Sequence, residues 1–447
     1  MRFTAGSLAA ATLLAGAVSA APAPARNGLS KRVYKPTPLA SRASSKASAN
    51  VLELKKVKTA KGATSHSAAR LKKGSSSTTT TSGSSTLISL IEGEEFATSI
   101  TVGGDSFDVI VDTGSSDLWL VEEGFTCLNE NSQKVSESEC AFGSTWTPTS
   151  SFSKISNEEF SISYGDGEFA TGVMGKDEVT LAGISVEQEM AGVTEAFWEG
   201  DGTTSGLVGL AYPGITSAYS TRTYQQVEYD PIITTLVDEG LIDSYFSLAI
   251  ERDVSGAAGY ITLGGLPPVN YTDTWSSTDI LVTTYDGQDE GYAYYTIDID
   301  AVTLSGKSLT AAGGSSIQYI VDSGTTLNYY PTTIADEVNA AFSPAATYSE
   351  DEGAYIVDCD ATAPAHGITI GGTTYIINPL DMILDAGTDS SGNTVCISGI
   401  VDGGSDYSED IFILGDVFLK NVVAVFDVGD VELKFAPREF YDSNDTY

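Results

Sequence analysis

The chain is expected to fold as a mainly β protein built from two related halves, and three observations carry that expectation. Short segments of alternating apolar and polar residues, each bounded by Gly, Asp or Asn, recur along most of the 447 residues. The composition includes 45 Gly, 22 Tyr and 16 Phe, which favours tight turns and ring-packed sheets over long helices. One block is present twice: Phe107-Asp108-Val109-Ile110-Val111-Asp112-Thr113-Gly114-Ser115-Ser116 is echoed by Gln318-Tyr319-Ile320-Val321-Asp322-Ser323-Gly324-Thr325-Thr326.

From the N-terminus, the first segment reads as a signal peptide over 1–20. Arg2 supplies a positive start, Leu8 to Val18 is a short apolar stretch, and Val18-Ser19-Ala20 places small residues at a cleavage position. The stretch is too short to cross a bilayer comfortably, no other run approaches eighteen apolar residues, and the tail Tyr441 to Tyr447 is polar. The expected destination is outside the cell, with a vacuolar lumen as the second choice, and no membrane partner is expected.

Residues 21–85 read as a removable basic segment and its junction. Positions 1–73 carry 14 Lys and Arg against one acid, Glu53, whereas the remainder carries 9 basic and 59 acidic residues. Val51 to Lys58 is the one ordered-looking piece of the basic segment, and Gly74 to Ser85 is a Gly/Ser/Thr linker. A permanently attached tail is the alternative. The whole chain has a net charge of -37, so nucleic acid and acidic membrane surfaces are poor partners. Only two histidines, His66 and His366, are present, which argues against zinc sites that need several imidazoles.

Beyond Thr86 the strands begin. Ser99 to Val102, Phe107 to Val111, Phe160 to Tyr164 and Tyr260 to Leu263 are the clearest, while Ile232 to Glu239 and Thr332 to Phe342 are the best helical stretches. The N-terminal half is expected over 86–268 and the C-terminal half over 269–447. The two Asp-hydroxyl-Gly blocks lie 210 residues apart, and each is followed downstream by an apolar-apolar-Gly segment, Leu207-Val208-Gly209 after 97 residues and Ile413-Leu414-Gly415 after 93. One Asp-Thr-Gly is an ordinary turn; two in matching contexts indicate internal duplication.

These motifs resemble the two signatures of the pepsin-like aspartic proteases, and the resemblance covers roughly residues 87–440. Ile162-Ser163-Tyr164-Gly165-Asp166-Gly167 resembles the family's flap, with Tyr164 as its tyrosine and Trp119 as the tryptophan that hydrogen-bonds it. The resemblance implies a bilobal fold, two pseudo-symmetric β-barrel-like lobes with a cleft between them, and no metal or organic cofactor. It also implies polypeptide substrates, inhibition by pepstatin-type compounds, a propeptide that blocks the cleft of its own chain, and a monomer. Asp166 resembles the acidic flap residue of some fungal members, which can attract a basic side chain preceding the scissile bond; a merely solvated loop acid is the alternative.

The residues themselves support the chemistry. Two carboxyls forced together cannot both ionise, so Asp112 and Asp322 would share one proton. The ionised partner can deprotonate a water while the protonated one donates to the scissile carbonyl. Gly114 and Gly324 allow close backbone approach, and Ser115 and Thr325 are placed to hydrogen-bond the outer carboxylate oxygens. Two isolated structural turns would leave the matching contexts unexplained.

Four cysteines in an exported chain imply disulfides, with three possible connectivities. The family resemblance suggests Cys127–Cys140 and Cys359–Cys396. Asn270 and Asn444 begin N-glycosylation sequons. Two insert-like stretches, Cys127 to Cys140 and Ala218 to Tyr229, are expected to shape the cleft or merely to decorate it. Other functions fit less well. A serine hydrolase would have to rely on His366 and lacks a Gly-x-Ser-x-Gly elbow. A glycosidase does not carry duplicated Asp-hydroxyl-Gly motifs. A catalytically silent pepsin-like binding protein would typically have lost an Asp or the flap tyrosine.

Overall fold

The computed structural model describes residues 51–56, 87–90, 95–165, 167–252, 258–282, 291–309, 317–349, 353–388, 392–405 and 412–438. The expected signal peptide, the linker, most of the basic segment, His66, Asp166 and Asn444 lie outside the described residues.

Strands dominate. Glu95–Val102 and Asp105–Asp112 form an antiparallel hairpin whose turn needs Gly103 and Gly104 at φ +59° and +97°, a backbone region that side chains with a Cβ avoid. Glu95–Val102 buries Phe96, Ala97 and Thr98 and then alternates, whereas Asp105–Asp112 runs from exposed at its start to fully buried over Val109 to Asp112. That change marks where the second strand enters the core. Leu118–Leu128, Ser153–Ser163, Phe169–Leu181 and Ile184–Phe197 extend the sheet, so the N-terminal half is one strongly curled surface.

The two halves meet on a shared sheet. Tyr245–Ile250 pairs with Gly259–Leu263 on one side and with Val422–Asp427 on the other, and Glu432–Pro437 continues the order to Ser276–Asp279. Phe246 and Phe426 sit opposite each other in this register, their rings stacked 4.6 Å apart, with Tyr295 packed edge-on at 4.7 Å. Full burial of each such ring contributes about 1.5–3 kcal/mol, which makes the junction a core in its own right.

One strand comes from the basic segment. Val51–Lys56 pairs antiparallel with Gly259–Leu263, from Val51 opposite Thr262 to Leu54 opposite Gly259, and parallel with Leu87–Leu90 through Lys55 and Lys56. The segment with an ordered-looking pattern is therefore a member of the shared sheet.

The C-terminal half repeats the plan with smaller sheets of five, four and four strands among the described residues. Both expected helices form, over Ile232–Asp238 and Thr332–Ala340, each entered through a proline, Pro231 or Pro331, whose missing N–H costs nothing at a helix start. Ile334, Ala335 and Val338 bury one face of the second helix. A third helix, Asp416–Leu419, is too short to show a sequence period. Among the described residues, no helix is long and apolar enough to cross a membrane.

Candidate active site

Each repeated block is the end of a strand followed by a tight turn. Asp112 closes Asp105–Asp112 and pairs in parallel register with Gly209; Val321, just before Asp322, pairs in parallel with Leu414. The apolar-apolar-Gly segments thus run beneath the loops that carry the two acids. They need glycine there because a Cβ on Gly209 would lie 2.5 Å from the Asp117 backbone nitrogen, and one on Gly415 would collide with the Thr325 and Leu327 carbonyl oxygens.

The turns aim the two carboxyls at each other. In each, the glycine amide donates to the preceding acid, Gly114 N to Asp112 Oδ1 at 2.6 Å and Gly324 N to Asp322 Oδ1 at 2.8 Å. Ser115 Oγ donates to Asp112 Oδ2, and Thr325 Oγ1 donates to Asp322 Oδ2 at 2.6 Å. The opposing glycines report the closeness: a Cβ on Gly114 would stand 2.5 Å from the Asp322 carboxyl carbon, and one on Gly324 would stand 2.5 Å from Asp112 Oδ1. Both acids are buried, at 5% and 9% exposure. Burial first, then the nearby Asp322 charge, pushes the Asp112 carboxyl well above its usual range. The Ser115 and Gly114 hydrogen bonds oppose that rise, while a hydrogen bond to Asp322 adds to it.

Two residues not singled out in the sequence lock the turns together. Thr113 Oγ1 donates to the Val321 carbonyl at 3.0 Å and accepts from Ser323 N at 2.9 Å. Ser323 Oγ donates to the Val111 carbonyl at 2.8 Å and accepts from Thr113 N at 3.2 Å. The bonds cross from one half to the other with near two-fold symmetry. Their signal was a hydroxyl residue directly after each Asp, present in both copies.

Above the acids, Ser153–Ser163 and Phe169–Leu181 form a hairpin whose tip is closed by Tyr164 N donating to the Glu168 carbonyl at 2.8 Å and by Gly167 at φ +96°. Gly165 is exposed at that tip. Trp119 Nε1 donates to the Tyr164 hydroxyl at 2.8 Å. Burial, then the Asp112 charge, pushes the Tyr164 phenol well above its usual range, so it keeps its proton. Trp119 is held in turn by Trp198 at 5.1 Å and Phe142 at 6.0 Å, both edge-on, and Tyr164 meets Trp198 at 5.5 Å. Neither Trp198 nor Phe142 carried a sequence signal, because their spacing from Trp119 follows no period.

The inserts also find places. Cys127 is bonded to Cys140 and Cys359 to Cys396. The first bridge precedes Phe142, and Gly200 N and Gly202 N donate to the Cys140 and Ala141 carbonyls, so the loop is stitched to the segment carrying Trp198. In the second insert, Ala218–Ser220 pairs with Ser153–Ser163, Ala218 opposite Phe160. Asp117 Oδ1 fastens both ends of that insert by accepting from Ser217 N at 2.9 Å and from the Tyr229 hydroxyl at 2.6 Å. Asn270 is exposed near the shared sheet, where the Thr272 amide donates to Pro437.

Comparisons with known proteins agree with this geometry. A family model described as eukaryotic aspartyl protease matches residues 95–438. A protein of Aspergillus fumigatus described as a probable aspartic-type endopeptidase is 53% identical over 356 residues, covering 79% of this chain and 81% of that one. Rhizopuspepsin-4 of Rhizopus niveus is 30% identical, covering 77% of each chain. Among solved structures, an aspartic proteinase from Irpex lacteus superposes with a TM-score of 0.62 at 21% identity, over 80% of this chain and 97% of that one, a likeness of fold. With the matched segment running through both Asp turns and the sheet that joins them, the chain belongs to the pepsin-like eukaryotic aspartyl protease family.

Proposed function

We propose that Asp112 and Asp322 carry the peptide-bond hydrolysis of this aspartic endopeptidase, acting together on one water. The observation that carries the reading is the mutual approach of the turns, in which each glycine faces the other half's carboxyl at about the reach of one missing Cβ. Such a pair holds a single proton. The ionised carboxyl takes a proton from the water as its oxygen attacks the scissile carbonyl carbon, and the protonated carboxyl donates to the carbonyl oxygen. The gem-diol then collapses: a proton passes to the nitrogen, the C–N bond breaks, and an acid and an amine leave with no covalent acyl-enzyme. Tyr164, its proton retained, closes over the substrate with the flap and limits bulk water. Asp166, next in sequence to Gly165, would attract a basic side chain on the substrate residue that precedes the scissile bond.

The basic segment acts as the enzyme's own inhibitor. Two observations support this: its charge opposes that of the body, and Val51–Lys56 occupies a sheet position between the halves. In acid the body's carboxylates gain protons, the attraction falls, and the segment leaves and is cut. Export by the leader, to the outside or secondarily to a vacuole, fits the two disulfides. One chain supplies both acids, so a monomer suffices. Asn270, exposed within its sequon, is open to glycosylation.

Digestion of denatured haemoglobin at pH 3–5 tests the reading. Hydrolysis that a pepstatin-type inhibitor stops supports it; hydrolysis indifferent to the inhibitor, or none from folded protein, removes it.

A further inference from the structure

We propose that His366 is a positioning residue for Asp322, acting through a buried hydrogen-bond chain that ends on the Gly415 amide. The inference rests on the reading of Asp322 as one of the two reacting carboxyls. Gly415 is the residue threaded beneath the Asp322 turn. On one side of it Leu414 accepts from Asp322 N at 3.1 Å, and on the other Asp416 N donates to the Thr325 carbonyl at 2.9 Å. In the N-terminal half the matching glycine amide, Gly209 N, donates to a backbone carbonyl, that of Asp117, at 2.9 Å. In the C-terminal half it donates instead to a side chain, Asn328 Oδ1, at 2.9 Å.

From Asn328 the chain continues inward. Asn328 Nδ2 donates to the Tyr330 hydroxyl at 3.1 Å, two residues along the same strand and therefore on the same face. Tyr330 meets His366 Nε2 at 2.9 Å, and His366 Nδ1 lies 3.0 Å from the Thr303 carbonyl. Asn328, Tyr330 and His366 are all essentially without solvent exposure. A carbonyl only accepts, so Nδ1 carries the proton and Nε2 accepts from Tyr330. Every donor then points one way, from Gly415 or Asn328 towards an acceptor, and no member is left over.

Protonation of the ring would break that order. A second N–H at Nε2 would face a hydroxyl that already accepts from Asn328, and the Tyr330 proton would lose its acceptor. Burial holds the His366 pKa down to about 4, opposed only by the Thr303 carbonyl. The cross-strand partners Leu304 and Ile377 are apolar, and the titratable group against the ring is Tyr330, itself pushed well above its usual range by burial. The chain is therefore intact in weak acid and disrupted as the pH falls through about 4.

The test is steady-state peptide hydrolysis by protein expressed as the full chain and activated in acid, with His366→Phe, His366→Gln, Tyr330→Phe, the His366→Phe, Tyr330→Phe double variant and Asp322→Asn, the active sites of all but the last being counted with pepstatin. The expected result for His366→Phe and Tyr330→Phe is a kcat about tenfold lower with KM little changed. The double variant should be no worse than either single one, because both cut one chain. Glutamine offers an acceptor at the Nε2 position without titrating, so His366→Gln should recover kcat relative to His366→Phe and should lose the wild-type fall in kcat below pH 4. Lower melting temperatures with unchanged kcat per active site and an unchanged acid limb would overturn the proposal and leave the chain purely structural. An active Asp322→Asn would instead overturn the reading on which it rests.

Discussion

At the scale of single residues, the proposed sharing of one proton by Asp112 and Asp322 depends on the hydrogen bonds their carboxyls accept. Thr325 Oγ1 donates to Asp322 Oδ2 at 2.6 Å from a half-buried position, a charge-assisted bond worth about 1.5–3 kcal/mol. Thr325→Val keeps the shape and removes the donor, so kcat should fall about 10- to 100-fold with the melting temperature nearly unchanged. Asp117 makes a different prediction. Burial raises its pKa from 3.8 to about 6, against the Ser217 and Tyr229 bonds. A raised folded-state value means the native protein binds the proton more tightly than the unfolded chain. The stability it contributes is complete below about pH 4 and is lost as the pH rises through about 6, a swing of about 3 kcal/mol. Asp117→Asn keeps an oxygen acceptor and does not titrate, so chemical denaturation should show a shallower loss of stability from pH 4 to 7 than in wild type. Parallel curves would exclude Asp117 as the source.

Elements reach the site through loops that the sequence shows only as insertions. The Cys127–Cys140 bridge anchors Phe142, Phe142 stacks on Trp198 at 5.8 Å, and Trp198 packs against both Trp119 and Tyr164. The Cys127→Ala, Cys140→Ala pair should cost about 2–4 kcal/mol of stability. It should also raise KM more than it lowers kcat, because the flap tyrosine loses its backing while the acids keep theirs. Stability loss without a change in KM would mean that the loop only decorates the cleft. At this scale the sequence was legible where a signal was local. The Asp-hydroxyl-Gly turns follow from a motif present twice, the Trp119–Tyr164 pair was implied by the family resemblance and is made here at 2.8 Å, and both helices stop within two residues of the expected ends; that each glycine faces the opposite carboxyl was not legible before the halves were joined. Thr113 and Ser323 were visible as a doubled hydroxyl, but a bond spanning 208 to 212 residues cannot be read until the halves are joined. Trp198, Phe142 and the Asp117–Tyr229 bond had no local signal at all. His366 stood out in the sequence as one of two histidines and as the imidazole a serine hydrolase would have needed, and its partners Tyr330 and Asn328 carried no signal.

Over the whole molecule, charge and architecture work together. The body beyond residue 73 carries 9 basic and 59 acidic residues, and the strand Val51–Lys56, whose sequence ends in Lys55 and Lys56, pairs into the shared sheet. The attraction is long-range and screened by salt. Reversing Lys55, Lys56 and Lys58 to Glu should therefore yield full-length protein that hydrolyses peptide sooner after acidification, and at a higher pH, than wild type. Activation at an unchanged rate would remove the electrostatic part of the account. The duplication has its own consequence for the proposed site: each half supplies one acid and the glycine turn that faces the other half's acid.

That dependence leads to the most direct measurement, kcat/KM for peptide hydrolysis by Asp112→Asn, Asp322→Asn and the double variant, each shown to be folded. Each single change should lower kcat/KM by about 10³-fold or more, and the double variant should be no worse than either, because the two groups act as one. A single variant that kept more than about a tenth of wild-type activity would contradict the claim that the two acids share one proton and one water.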